Sequence, residues 1–226
     1  MKRYLPFAIV AIVGAVTLAS GIGLYRAKRA PIVATAKGST SVADRSDTGH
    51  VLGSAEAPVT LEEFGDYQCP PCGRIATVIG RMEQDYRPRL RIIFRNLPFA
   101  IHAHAHEAAL AAEAAALQGR FWEMHDLLYK EQAAWSSAAD ARVLFESYAG
   151  MIGLDLERFR RDMDGEATKA RVAADQQRAT SLGVTSTPSI FINNEPLPHT
   201  SLNSSGLRAA IDAAMKSSPT GRNAES

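Results

Sequence analysis

The sequence is short of the residues that several classes of protein require. Only two of its 226 residues are cysteine, 7% are aromatic, and the formal net charge is +1. Two cysteines exclude a framework of several disulfides and cannot by themselves complete a four-cysteine zinc site. The balanced charge and the lack of a long basic run argue against nucleic acid as a partner. The hydrophobic share, 46%, is ample for a buried core.

The N-terminus carries a long segment without charge. Lys2 and Arg3 precede the stretch 4–25, and Arg26 follows it. As a helix this stretch would measure roughly 33 Å, which is enough to cross a bilayer core of about 30 Å. We therefore interpret 1–26 as a membrane anchor, with a cleaved signal peptide as the alternative. Either interpretation places the rest of the chain outside the cytoplasm, where disulfides persist.

The remainder divides into a linker at 27–49, a folded domain at 50–216 and a disordered tail at 217–226. Within the domain, the hydrophobic patterns predict a strand at 57–64, a helix at 69–86, a strand at 90–99, helices from about 100 to 182, two strands within 187–198 and a helix at 201–215. This order predicts an α/β fold whose sheet is interrupted by a helical insertion at about 100–182.

Both cysteines lie in one motif, Cys69-Pro70-Pro71-Cys72, where the first strand gives way to a helix. A helix start favours a thiolate, because unpaired N–H groups and the positive end of the helix dipole meet there. Pro70 and Pro71 have no N–H, so a Cys69 thiolate relies mainly on the N–H of Cys72. We expect the pKa of Cys69 to fall less than in the strongest oxidants, where it reaches about 3.5. A moderately oxidising disulfide would follow.

The motif alone leaves other interpretations open. A passive disulfide and a metal clip can both be written as Cys-x-x-Cys. His102, His104 and His106 could add metal ligands, although only His102 and His106 would share a helix face. A metal-binding or copper-delivery module built on Cys69 and Cys72 is therefore the alternative from another functional class.

Four segments together resemble the DsbA-like branch of thioredoxin-fold thiol–disulfide oxidoreductases, in the same order over about 50–215. They are "LEEFGDYQCPPC", "FRNLPF" before a histidine-marked helix, "QGRFWEMHDLLY" and "GVTSTPSIFIN". The resemblance implies a thioredoxin-like fold with a helical insertion and a Cys69–Cys72 disulfide. It makes Cys69 the attacked sulfur, Cys72 the buried resolving partner, and Pro188 a cis proline facing the disulfide.

Glu63 and Thr187 complete the candidate site. In the family a carboxylate at the position of Glu63 lies beneath the disulfide and handles the proton of the resolving thiol. A buried carboxyl has a raised pKa suited to that task, and the alternative is a solvated edge glutamate. A cis bond before Pro188 would leave the backbone of Thr187 free to pair with substrate, whereas an ordinary trans proline would not. We assign substrate contacts to Thr187, Pro70 and Pro71.

The sequence thus predicts an extracytoplasmic, monomeric thiol–disulfide oxidoreductase that introduces disulfides into secreted or periplasmic proteins. It needs no cofactor, and a membrane redox partner would reoxidise it. The strong oxidases of the family carry Pro-His between the cysteines and often Val before the cis proline, whereas this chain has Pro70-Pro71 and Thr187. A reductase or isomerase therefore remains an alternative. Isomerase activity is the less favoured of these, because 27–49 is too short for a dimerisation domain.

Overall fold

A computed structural model of the chain describes residues 49–218. The predicted anchor or signal segment 1–26, the linker up to residue 48 and the tail from residue 219 lie outside the described residues. Across 49–218, every helix is too short or too polar to span a bilayer.

The centre of the domain is a five-stranded mixed sheet. Its strands are β1 (His50–Leu52), β2 (Val59–Gly65), β3 (Leu90–Asn96), β4 (Ser189–Ile192) and β5 (Glu195–Pro196). They lie in the order β1-β3-β2-β4-β5, with β2 parallel to β3 and antiparallel to β4. Strand β2 is therefore central, and Glu63 pairs with Phe94 on one side and Ile190 on the other.

Helices cover the sheet and form the insertion. They are α1 (Pro70–Tyr86), α2 (Ala105–Ala116), α3 (Phe121–Lys130), α4 (Gln132–Ser136), α5 (Ala141–Met151), α6 (Leu156–Met163), α7 (Glu166–Ser181) and α8 (Ser204–Ser217). Helices α2 to α7 lie between β3 and β4 in the chain, so the predicted helical insertion is confirmed.

Three apolar cores hold these layers together, and two of them include residues of α1. One lies between the sheet and helices α1 and α8, where Leu61, Ile75 and Ile211 pack. Another fills the insertion around Trp135, which is fully buried, and reaches Cys72 at the motif. The insertion core thus continues into the region of the two cysteines.

Helix α2 begins later than the sequence predicts, at Ala105 rather than near residue 100. The segment before it is held by the loop that precedes Cys69. The N–H of Phe99 donates to Asp66 Oδ2, and His102 Nδ1 lies 2.7 Å from the same oxygen. The N–H of His104 donates to the Gln68 side chain. These bonds use groups that a helix would otherwise pair within itself. Strand β1 was also not predicted, since three residues are too few to show a period.

Candidate active site

Cys69 occupies the N-cap of α1, in an extended conformation with φ −73° and ψ 117°. Pro70 and Pro71 follow as the first two helical residues, where a missing N–H removes no intrahelical bond. The N–H groups of Cys72 and Gly73 both donate to the carbonyl of Cys69, at 3.0 and 3.2 Å. The helix therefore begins directly after Cys69 and fixes Cys72 about one turn further on.

The two thiols differ in their access to solvent. Cys69 keeps 7% of its surface exposed, whereas Cys72 keeps none. An incoming thiolate can thus reach the sulfur of Cys69 and not that of Cys72. Both are free thiols here, so the structure describes the reduced form and the Cys69–Cys72 disulfide stays a prediction.

The two thiols differ as strongly in acidity. The hydrogen bond from the Cys72 side chain is the largest influence on Cys69 and lowers its pKa to about 6, against burial. The Cys72 N–H and the Thr187 side chain act in the same direction, while the charge of Asp66 opposes them. Burial raises the pKa of Cys72, and Cys69 and Glu63 raise it further. Near neutral pH Cys69 is therefore a thiolate and Cys72 a thiol. The moderate fall agrees with the expectation from Pro70 and Pro71, but the expected main donor is wrong, because the Cys72 side chain has a larger effect than the Cys72 N–H.

The Thr187–Pro188 peptide bond is cis, as the sequence predicts. It immediately precedes β4, whose pairing with β2 brings this end of the strand close to the motif. The Cys69 thiol donates to the carbonyl oxygen of Thr187 over 3.5 Å. The backbone of Thr187 and the reactive sulfur are therefore neighbours.

Glu63 is buried, with 2% of its surface exposed, and lies on the face of β2 that α1 covers. Its central position excludes the alternative of a solvated edge glutamate. Burial, and then the charge of Cys69, raise its pKa to about 8. Its Oε1 atom has no hydrogen-bond partner among the described residues. Glu63 is thus a neutral acid at pH 7, and its charge would interact with Cys72.

A groove of about 480 Å³ opens beside the motif. It is lined by Pro71, Arg74, Ile75, Val78, Thr187, Pro188, His199, Leu202, Asn203 and Ser204. Pro71 and Thr187, two of the residues assigned to substrate, therefore face a common space. Pro70 is exposed next to Cys69 but does not line the groove.

Sequence reasoning missed three residues around the motif. Gln132 donates to the carbonyl oxygens of Tyr67 and Cys69, at 2.6 and 3.0 Å. Asp66 accepts from the N–H of Gln68 and holds the loop before α2. Tyr129 interacts electrostatically with Cys72 and Glu63. Asp66 could have been predicted from its position shortly before the motif. Gln132 and Tyr129 belong to the insertion, and nothing in the sequence indicates that they approach the cysteines.

Two of the three histidines considered as metal ligands have other partners. His102 contacts Asp66, and the His104 ring lies 3.0 Å from the carbonyl oxygen of Ala138. Across residues 49–218, no three or more His, Cys, Asp or Glu side chains lie together in a way that could hold a metal ion.

A family model described as thioredoxin matches residues 45–213. The chain belongs to the thioredoxin family. A thioredoxin-like oxidoreductase from Silicibacter pomeroyi DSS-3 is 31% identical, with a TM-score of 0.64 over 76% of this chain and 94% of that one. The α-DsbA1 protein of Wolbachia pipientis shares the fold, with a TM-score of 0.62 at 19% identity over 74% of this chain and 90% of that one. The thioredoxin-like fold that the resemblance implies is thereby confirmed, and a DsbA protein shares it.

This thioredoxin domain also matches part of much longer proteins. A relative named Na(+)/H(+) antiporter NhaA 1, from Salinispora arenicola, is 39% identical over 169 residues. That match covers 74% of this chain and 25% of the relative. The chain thus spans about a quarter of the length of the curated relatives that it matches.

Proposed function

We propose that this protein is an extracytoplasmic thiol–disulfide oxidoreductase that introduces disulfides into secreted or periplasmic proteins. The observation that carries the proposal is the asymmetry of the two thiols. Cys69 is reachable, acidic and next to a groove, whereas Cys72 is buried and holds its proton. A passive structural disulfide has no need of such a difference.

The first step is attack on the Cys69–Cys72 disulfide. A substrate thiolate bonds to the sulfur of Cys69, the bond between Cys69 and Cys72 breaks, and its electron pair goes to the sulfur of Cys72. Glu63 is the acid placed to give that buried sulfur a proton, because its carboxyl is neutral at pH 7.

The second step releases the product. Another thiolate of the substrate attacks the substrate sulfur of the mixed disulfide, and Cys69 leaves as a thiolate. The lowered pKa of Cys69 makes it a good leaving group at neutral pH. The substrate gains a disulfide, and both cysteines are left reduced. A membrane redox partner would then remove two electrons from the pair.

The groove favours an extended peptide as substrate. The backbone of Thr187 lies beside Cys69, where a peptide carrying the reacting cysteine can pair with it. Ile75 and Val78 offer apolar contact along α1, and Arg74 adds a positive charge at the edge of the same space. Pro70 and Pro71 keep the start of α1 free of N–H groups that would compete for the peptide.

A reductase is the second candidate, and the acidity of Cys69 is the reason to keep it. A pKa of about 6 lies between the value of about 3.5 in a strong oxidase and about 7 in a reducing thioredoxin. Run in reverse, with Cys72 displacing the substrate from Cys69, the same site reduces disulfides. A metal-delivery module has less support, since no third metal ligand joins the cysteines among residues 49–218.

The proposed attachment to a membrane rests on the charge-free stretch 4–25. The relatives named as sodium/proton antiporters add support, because they carry the matching segment within much longer chains. The attachment would keep the exchange site close to secreted chains and to a membrane redox partner.

A trapping variant of the full chain tests the proposal. In Cys72→Ser the resolving sulfur is gone, so mixed disulfides with substrates should accumulate on Cys69 in cells. Cys69→Ser is the matched control and should trap none. If Cys72→Ser captured no secreted or periplasmic protein, the proposal would be wrong.

The reduction potential of the pair separates oxidase from reductase. We expect a value between those of a reducing thioredoxin, about −270 mV, and a strong oxidase, about −120 mV. Equilibration of the purified protein with glutathione, followed by alkylation of free thiols, measures it. A value near −270 mV would favour the reductase.

A further inference from the structure

Two buried polar atoms near the cysteines have no hydrogen-bond partner among the described residues. They are Oε1 of Glu63 and the hydroxyl oxygen of Tyr129. Leaving a buried donor or acceptor unpaired is costly, so native proteins keep few such groups. Two of them beside one reactive motif indicate that they are used in another state of the site.

Gly65 makes the approach of Tyr129 possible. Tyr129 belongs to α3 of the insertion, and its hydroxyl oxygen lies 2.7 Å from the position that a Cβ atom on Gly65 would occupy. Residues 63 and 65 point to the same face of β2, because side chains alternate along a strand. The hydroxyl and the carboxyl therefore lie above the same face, which α1 covers with the buried Cys72.

The charges at this site act on Tyr129 in one direction. Burial, then Cys72, then Glu63 raise the pKa of Tyr129 well above its ordinary value. The hydroxyl therefore keeps its hydrogen throughout the neutral range. It remains a hydrogen-bond donor whichever of its two neighbours carries a negative charge.

We propose that Tyr129 is a positioning residue for thiol–disulfide exchange, and that its hydroxyl donates to the charge that Cys72 and Glu63 share when the disulfide opens. This inference rests on the proposed function. Attack on Cys69 sends an electron pair to the sulfur of Cys72, and Glu63 gives that sulfur its proton. The negative charge passes to the carboxylate, and the O–H of Tyr129 stabilises it. No proton leaves Tyr129.

The groups around Tyr129 and Glu63 allow the effect of Tyr129 on the exchange rate to be measured as a function of pH. The ionisable groups around the pair are Cys69, Cys72, Asp66, Tyr67 and His125. Burial lowers the pKa of His125 to about 3 and raises that of Tyr67, so neither changes charge near pH 8. In the oxidised protein the cysteines do not titrate. Glu63 is then the group that titrates, with a pKa that burial raises above its ordinary value of 4.5; the charge of Cys69, which contributes to the value of about 8 in the dithiol form, is absent.

Tyr129→Phe removes only the hydroxyl oxygen. The oxidised full-length protein is reduced by dithiothreitol at a series of pH values, and the free thiols are counted after alkylation. Dividing each variant rate by the wild-type rate cancels the ionisation of the reductant. We expect Tyr129→Phe to be about tenfold slower at pH values below the pKa of Glu63, as for the loss of one hydrogen bond to a charged group. The ratio should change near the pKa of Glu63.

Two controls separate this role from a structural one. Tyr148→Phe removes another hydroxyl from the insertion and should leave the rate at its wild-type value across the pH range. In a Glu63→Gln background, Tyr129→Phe should give a ratio that no longer depends on pH. Because the hydroxyl has no hydrogen-bond partner within residues 49–218 of the dithiol form, Tyr129→Phe should not lower the melting temperature of the reduced protein.

A ratio for Tyr129→Phe that is flat with pH, or a rate equal to the wild type, would overturn the inference. Loss of folding would overturn it as well, since it would give the hydroxyl a structural role. The outcome does not depend on physiological substrates. If Cys72→Ser trapped no protein but the ratio still changed near the pKa of Glu63, the proposed function would fail and the role of Tyr129 would stand.

Discussion

Glu62 and Glu63 are neighbours on the central strand, yet their side chains lie on opposite faces of the sheet and in opposite electrostatic environments. Glu62 lies 2.6 Å from Arg95 and 3.3 Å from Arg178, and Arg95 in turn lies 3.2 Å from Asp175. Glu63 faces α1, and its Oε1 atom has no hydrogen-bond partner among the residues that the structure describes. One face therefore holds a carboxylate by ion pairing, and the other holds a protonated carboxyl by burial. Because side chains alternate along the strand, the ion-paired Glu62 and the candidate proton donor Glu63 lie on opposite faces of the sheet.

The largest effect on stability is expected from removing the ion pairs on the face that carries Glu62. Arg95→Met removes the cation that Glu62 and Asp175 share, so that Glu62 keeps only Arg178 and the buried charge of Asp175 is less well compensated. Such a loss costs about 3–5 kcal/mol, which is a large part of the stability of a domain. Urea unfolding at pH 7 measures it. A variant as stable as the wild type would show that the ion pairs do not hold this face.

Glu63→Gln tests how the buried carboxyl on the other face makes the free energy of unfolding depend on pH. The pKa of Glu63 is about 8 in the folded protein, against an ordinary value of 4.5, so the unfolded chain loses this proton first as pH rises. Stability should fall by up to about 1.4 kcal/mol per pH unit between these values. Glu63→Gln should remove that slope and be the more stable protein at pH 7, by roughly 3 kcal/mol.

Urea unfolding of the reduced wild type and Glu63→Gln at pH 4, 6 and 8 checks this expectation. The two proteins should converge at pH 4, where Glu63 is protonated in both the folded and unfolded states. Parallel pH profiles for the two proteins would mean that Glu63 is not the titrating group.

Gly65→Ala should have a smaller effect on the same face. The new Cβ would lie 2.5 Å from Phe94 and 2.7 Å from the Tyr129 hydroxyl, so both aromatic rings must move. Overpacking of this kind costs about 1–3 kcal/mol. Gly80→Ala is the matched control, since its Cβ would meet nothing within 4 Å and alanine favours a helix. Thermal melts of both variants should therefore shift in opposite directions.

The features predicted correctly from the sequence are those that depend on local patterns and on the Cys-x-x-Cys motif. The hydrophobic pattern placed Glu63 on a strand and the order of the elements predicted the helical insertion, while the two prolines indicated only a moderate fall in the pKa of Cys69. These features depend on residues close together in the chain. The resemblance to DsbA-like proteins supplied the role of Pro188.

Long-range contacts account for what was missed. The late start of α2 depends on bonds from Phe99 and His102 to Asp66, more than thirty residues earlier in the chain. Gln132 and Tyr129 reach the motif from the insertion across about sixty residues, and no spacing in the sequence indicates such a pairing. Local propensity favoured a helix through 100–104, and tertiary hydrogen bonds overrode it.

Two oxygens of Asp66 join the insertion to the motif. Oδ2 holds both Phe99 and His102, while the backbone carbonyl of the same residue accepts the N–H of Cys69. The entrance to the insertion and the backbone of the reactive cysteine are thus tied to a single residue. A displacement of the insertion that moved Asp66 would therefore also shift the backbone of Cys69.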